Sequence, residues 1–510
     1  MTVTLRGGGL NEEQVVAVAR NREQVVLSPT ARTRMERSRT RAERAAASRE
    51  PVYGVSTGFG ALAGTRVAPL RQPELQLALV RSHAAGVGPP VDVEVVRAMM
   101  LLRARTLSMG FSGVRPTVAE AIVGALNAEL TPVVPRYGSV GCSGDLAPLA
   151  HMALALVGEG QVTMADGTSK GAAAAFRGAG LKLLKLETKE GLSLINGTDG
   201  MLGMLALACA DAELLLRTAD VTAAMSIEAL LGTDRPFQPQ LQELRPHPGQ
   251  VASASNLVAM LHGSEIVASH RHSAHAVQDS YSVRCSPQVA GAARDTLAFA
   301  RRVAEVELGS AVDNPVVLES GAVESTGNFH GEPLAFAADF MAIAAAEVGS
   351  IAERRLDRLL DPQRSQGLPP FLAEEPGVNS GLMVAQYTAA ALVAENRRLA
   401  APASVDSIPT SGMQEDHVSM GWGAALKLRS VLENLVNILA VELLASARAL
   451  DFRAPLKPSP ATAAVRDLLR REVKGPGADR MVAPEIAAAS ALIRSGAVTG
   501  AAQKVLGRLV

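Results

Sequence analysis

Between Asp416 and Leu450 the chain places Leu428, Val431, Leu435, Ile438 and Val441 three and four residues apart. That spacing aligns them on one stripe of a single long α-helix, and such a stripe is stable only against partners of similar length. Two further segments supply candidates. Phe336, Phe340, Ile343, Ala344 and Ile351 fall on one helical stripe that leads into the charged cluster Glu353, Arg354 and Arg355 and stops near Pro362. Glu347 interrupts that stripe, and a carboxylate there needs a partner if it is buried. A third helix begins after Ser380, carries Met383, Tyr387 and Leu392, and ends before Pro402. Aromatic residues make up only 3% of the chain while alanine recurs throughout, which favours close-packed helices over sheets. The expected fold is all-α, a long-helix bundle with a loop-rich N-terminal catalytic region. In that region the helical stretches Val95 to Ser108 and Met201 to Ala210 alternate with Gly- and Pro-rich loops. Residues 1–200 and 201–510 form the expected division, neither part folding independently.

With 510 residues and 48% hydrophobic content, the chain is able to bury a large core. Fifty basic and fifty acidic residues cancel, so no net charge draws it to nucleic acid or to an anionic membrane, and a small molecule is the expected partner. The Arg-rich segment Ala31 to Glu50 interleaves Glu36, Glu43 and Glu50 with its basic positions and reads as a solvated helix. Cys142, Cys209 and Cys285 are too few for a disulfide framework, which fits a reducing compartment. The opening residues lack the apolar core of a signal peptide and no apolar stretch is expected to span a bilayer, so the expected location is the cytoplasm.

The chemistry concentrates in Gly138 to Met152, GSVGCSGDLAPLAHM. A Ser flanked by small residues is ordinarily a turn. The nucleophile-elbow pattern does not apply, because Gly144 follows Ser143 directly and Asp145 stands where the second glycine belongs. Cys142-Ser143-Gly144 also meets the requirements for backbone cyclisation. The Gly144 amide nitrogen must reach the Cys142 carbonyl carbon, which a residue without a Cβ permits. Loss of two waters then converts Ser143 into an alkene conjugated to an imidazolone.

This motif and its surroundings resemble the aromatic amino acid ammonia-lyase family, from about Tyr53 to the C-terminal region. The resemblance implies a 4-methylidene-imidazol-5-one (MIO) group formed autocatalytically from Cys142, Ser143 and Gly144. In Tyr53 to Gly60, YGVSTGFG, it implies that Tyr53 lies on a mobile loop and transfers protons. A phenol is a base at neutral pH only where positive charge or backbone dipoles lower its pKa. In Arg81 to Gly86, RSHAAG, His83 bears on the substrate ring, as in histidine-acting and also tyrosine-acting members. In Gly191 to Thr198, GLSLINGT, Asn196 reaches the prosthetic group and the substrate, although these residues by themselves favour a simple Asn-Gly turn. In Val277 to Gln288, VQDSYSVRCSPQ, spacings of three put Gln278, Tyr281 and Arg284 on one face if the segment is helical. There Arg284 offers a fork for a carboxylate, Tyr281 a proton-transfer group and Gln278 a positioning amide. Phe329, in GNFH, closes the pocket by resemblance.

Glu415, in Pro409 to Met420, PTSGMQEDHVSM, discriminates further. Burying a carboxylate beside a phenyl ring is costly, whereas an imidazole N–H donates to it. The expected reaction is therefore elimination of ammonia from L-histidine to give trans-urocanate, the first step of histidine breakdown. The resemblance also implies a homotetramer whose sites draw on three subunits, and no metal. His270, His272 and His275 with Glu265 match no metal motif. Four positions depart from the family pattern: Cys142 for Ala, Met413 for Asn, Asp199 for Gln and Arg105 for Asn. Two alternatives stay open: a lyase or aminomutase acting on tyrosine, phenylalanine or a modified histidine, and a non-catalytic scaffold homologue.

Overall fold

The computed structural model describes residues 2–47, 51–273 and 276–510. Helices dominate, as expected, and strands among the described residues are short and pair only into two- and three-stranded sheets. Packing divides the chain into two compact units, each assembled from three stretches. The first comprises Met1–Ala210, Ala300–Asp339 and Pro402–Leu426; the second comprises Asp211–Phe299, Phe340–Ala401 and Lys427–Val510.

The periodic segments are helices at Glu332–Leu360, Met383–Leu399 and Gly421–Asp451. In Glu332–Leu360 the direction of burial differs from what side-chain size suggests. Phe340 and Ile343 stay 45% and 46% exposed, and Glu347 is exposed beside them, so that carboxylate needs no buried partner. The buried face carries Met341 and Val348 together with Ala342, Ala345 and Ala352, and the three alanines allow close helix contact. Arg355, expected within a charged cluster, is buried in the second unit. It pairs with Glu442 at 2.5 Å, and Glu442 also accepts from Thr222 and Ser226 at 2.8 and 2.9 Å. A buried carboxylate with this many donors is satisfied rather than costly. Two helices, Glu332–Leu360 and Gly421–Asp451, do reach the length and hydropathy of a membrane span, contrary to expectation. Of their most apolar windows, 56% and 78% is buried within the protein.

In the first unit the helix Val93–Ser108 is buried along all of Val95 to Ser108, including three arginines. Each arginine donates to carbonyls at helix ends or in loops, where partial negative charge collects. Arg97 donates to Val18 O at 3.0 and 3.1 Å and to Leu126 O at 3.2 Å. Arg105 donates to the carbonyls of Ser310 and of Glu307, the latter at 3.2 Å, near the end of the helix Ser286–Gly309. Its part is thus structural. Arg103 donates to Ser193 O, Asn196 O and Val312 O at 3.0, 2.8 and 2.9 Å and pairs with Asp199 at 3.2 Å. This guanidinium thus ties the short helix Glu190–Ile195 and the Asn196 that follows it to the loop at Val312.

Candidate active site

The loop Gly138 to Asp145 is fastened on two sides within the first unit. Met420 N donates to Val140 O at 2.9 Å, Ser419 Oγ to Gly141 O at 3.3 Å, and the Trp422 indole to Arg136 O at 2.9 Å. On the other side Asp145 N donates to Gly197 O at 2.7 Å. The Asp145 carboxyl accepts from Gly200 N and Met201 N, both at 2.9 Å, at the start of the helix Asp199–Ala229. Burial nevertheless pushes this carboxyl up to about 7. Between these anchors the backbone turns sharply. Ser143 has φ 45° and Gly144 φ 80°, and a left-handed conformation is unusual for serine.

A cavity of about 570 Å³ opens above this loop. Its polar lining includes Tyr53, His83, Ser143, Asn196 and Glu415, drawn from five separated stretches of sequence. Leu75, Leu79, Leu146, Leu192 and Ile195 form an apolar side suited to a flat ring. The Tyr53 hydroxyl accepts from Gly60 N at 3.1 Å, and its ring meets Phe59 edge-on at 6.5 Å. Burial raises the Tyr53 pKa above 10.0, the Gly60 amide opposes this, and the nearby Glu415 charge adds to it. In this environment Tyr53 keeps its proton at neutral pH. His83 ends the helix Gln72–His83 and sets Nδ1 2.9 Å from Leu79 O, so Nδ1 carries the proton and Nε2 is the free acceptor. Burial holds the His83 pKa below 6.5, so its ring is neutral at pH 7.

Asn196 donates through Nδ2 to Asn314 O at 2.7 Å, while its buried Oδ1 has no partner among the described residues. Glu415 accepts at Oε2 from the Cys142 thiol at 2.9 Å and from Thr410 Oγ1 at 3.1 Å. Burial, reinforced by the hydrogen bond to Glu415 and its charge, pushes the Cys142 thiol up to about 12.

Four expected residues do not line this cavity. Phe329 lies in a turn of the first unit, outside the cavity lining. Gln278, Tyr281 and Arg284 belong to the second unit. The expected shared helical face is also incomplete, because the helix spans only Tyr281–Arg284 and Gln278 precedes it in a loop. Within that turn the Arg284 guanidinium lies 4.7 Å over the Tyr281 ring and donates to Asp279 O at 3.0 Å, and Tyr281 is 72% exposed. Of the His cluster, His270 faces two carbonyls, Ile266 O at 2.9 Å and Gly232 O at 3.2 Å, and His275 lies outside the described residues. His330, Glu332 and His417 bring ligand atoms within 4.8 Å of one another, but the His330 nitrogens are engaged by Glu332 N at 3.3 Å and His417 O at 3.4 Å. The motifs did not single out Thr410, Asn314 or Asp145. An Asp just before a helix was the one available cue for Asp145, and its partner helix proved to be a different one.

Comparison with known proteins gives the family of the chain. The family model for aromatic amino acid lyases matches residues 10–471. The chain is 57% identical over 509 residues to a histidine ammonia-lyase of Streptomyces avermitilis, covering 100% of this chain and 99% of that one. It is 48% identical to the histidine ammonia-lyase of Koribacter versatilis, over 98% and 99% of the two chains. Among solved structures, a tyrosine aminomutase from Streptomyces globisporus superposes with a TM-score of 0.94 at 39% identity, covering 100% of both chains. A histidine ammonia-lyase from Trypanosoma cruzi superposes with a TM-score of 0.92 at 38% identity, over 100% of this chain and 96% of that one. The chain therefore belongs to the aromatic amino acid lyase family.

Proposed function

We propose that this chain is a carbon–nitrogen lyase that eliminates ammonia from L-histidine to give trans-urocanate, the opening step of histidine breakdown, in the cytoplasm. The observation that carries the reading is the joint presence of Ser143, His83 and Glu415 on one cavity. The Glu415 carboxylate and the free Nε2 of a neutral His83 are both acceptors, and together they suit a substrate that brings N–H donors on its ring and on its amine.

The proposal includes an MIO group made from Cys142, Ser143 and Gly144. When formed, that group supplies the electron-poor alkene that the elimination uses. Gly144 fits the ring-closing position, since only a residue without a side chain fits against Gly197, and the unpartnered Asn196 Oδ1 offers an acceptor beside it. Glu415 receives the ring N–H of the substrate, and Asn196 faces its polar end. Tyr53, which holds its proton, delivers it to the departing amine, and the phenolate so formed takes up the β-proton, so that the C–N and β C–H bonds both break and the tyrosine is restored. Orientation by these groups contributes as much as their reactivity.

Gln278, Tyr281, Arg284 and Phe329 enter this proposal as groups supplied across subunits of a homotetramer, with Arg284 fixing the substrate carboxylate. Two observations support self-association. The second unit carries an apolar groove of about 730 Å³ lined by Phe299, Phe340 and Ile343, and Tyr281 is exposed in the single chain.

Incubation of the purified protein with L-histidine, L-tyrosine and L-phenylalanine separately, followed by ultraviolet absorbance, tests the substrate. An absorbing acrylate is expected from L-histidine alone. Turnover confined to another amino acid would establish the reading as a tyrosine- or phenylalanine-acting enzyme instead.

A further inference from the structure

We propose that Cys142 is a positioning residue for Glu415: its thiol holds one carboxylate oxygen so that the other is presented to the substrate ring. The inference rests on the reading of Glu415 as the acceptor of the ring N–H, and it gives a side-chain duty to a position otherwise needed only for its backbone carbonyl.

The asymmetry at Glu415 motivates it. Both side-chain donors, Cys142 Sγ at 2.9 Å and Thr410 Oγ1 at 3.1 Å, converge on Oε2. Among the described residues Oε1 takes no hydrogen bond, and it lies on the side of Gly60, 3.9 Å from where a Cβ on that residue would stand. Gly60 and Glu415 line the same cavity. Backbone pairing fixes the base of the arrangement, with Thr410 N donating to Glu415 O at 2.8 Å. Two donors on one oxygen stop rotation of the carboxylate and leave a single defined acceptor. An S–H can serve as donor only while protonated, and burial beside Glu415 keeps this thiol protonated throughout any practical assay range. Ring closure consumes the Cys142 carbonyl and leaves the thiol in place. An alanine there would contribute no such donor.

The test compares Cys142→Ala with Cys142→Ser, each alone and combined with Glu415→Gln. Intact mass first verifies that each variant shows the loss of two waters. For Cys142→Ala we expect kcat/KM for L-histidine to fall about 10-fold, and for Cys142→Ser, which keeps a donor, to stay within about threefold of the parent. In the Glu415→Gln background Cys142→Ala should have no further effect. A second arm measures by calorimetry the Kd of imidazolepropionate, an unreactive ring analogue, in chains that also carry Ser143→Ala and so lack the prosthetic group. There Cys142→Ala should weaken binding by a similar factor, which keeps the test valid even if Cys142 variants disturb ring closure. Equal values for Cys142→Ala and its parent in both arms would overturn the proposal, as would an undiminished loss in the Glu415→Gln background. Absence of any histidine turnover in the unaltered protein would instead count against the proposed function.

Discussion

A β-carbon on Gly144 would sit 2.1 Å from the carbonyl oxygen of Gly197. No real Cβ tolerates that approach, and the obstacle is backbone held by Arg103, so it cannot swing aside. Gly144→Ala is therefore expected to displace the loop and abolish ring formation and turnover. Ser143→Ala, which adds no volume, is expected to abolish turnover with the fold intact. Intact mass, circular dichroism and the absorbance assay separate the two effects. Near-normal rates in Ser143→Ala would defeat the mechanism.

Tyr53 is held protonated by burial and by the Glu415 charge. Tyr53→Phe removes the proton donor and leaves the Gly60 amide without its acceptor, so kcat is expected to fall about 10²- to 10⁴-fold, the usual range for general acid–base groups. A loss of less than threefold would remove Tyr53 from proton transfer.

Arg103 donates to three carbonyls and forms an ion pair with Asp199 at once. Arg103→Met leaves that carboxylate buried without its partner, a change that typically costs about 3–5 kcal/mol. Denaturant unfolding should register the loss, and a change under about 1 kcal/mol would show that water or a rearranged loop replaces the guanidinium.

Asp145 binds its proton more tightly in the fold than in the unfolded chain, about 7 against 3.8. The stability linked to that proton is fully present below pH 3.8 and is lost as pH rises through about 7. Converted directly, the shift amounts to at most about 4 kcal/mol. Asp145→Asn stays neutral at every pH, so its Tm relative to the unaltered protein is expected to rise across this interval. A flat difference would show that the Gly200 and Met201 amides already accommodate the charge.

Size-exclusion chromatography with light scattering should give four times the 53.0 kDa chain mass. Phe340→Asp or Ile343→Asp, placed in the exposed apolar groove, should lower that mass and with it the activity. A monomer with full turnover would refute both the assembly and the shared site.

Much of the helical architecture was legible because periodicity reports it directly. The stripe through Leu428, Val431 and Leu435 lies buried in the helix Gly421–Asp451, as its spacing implied. Periodicity does not say which apolar face turns inward. On Glu332–Leu360 Phe340 and Ile343 face outward, while Met341 and Val348 face in with Ala342, Ala345 and Ala352, whose small side chains let helices approach closely. Composition was equally silent about Arg103, Arg105 and Arg355, whose burial depends on carbonyls and carboxylates that only folding brings within reach. The Gln278 turn failed for a related reason, since a spacing of three marks a helical face only if the backbone is helical throughout.

By itself, then, the sequence determined the helical character of the protein and named the three residues proposed to cyclise, since both follow from covalent identity and short-range spacing. Tertiary structure decided which distant residues share the cavity with Ser143 and which oxygen of Glu415 stays free. It also decided the charge states of Asp145 and Tyr53, because burial and donor geometry depend on segments hundreds of positions apart meeting in space.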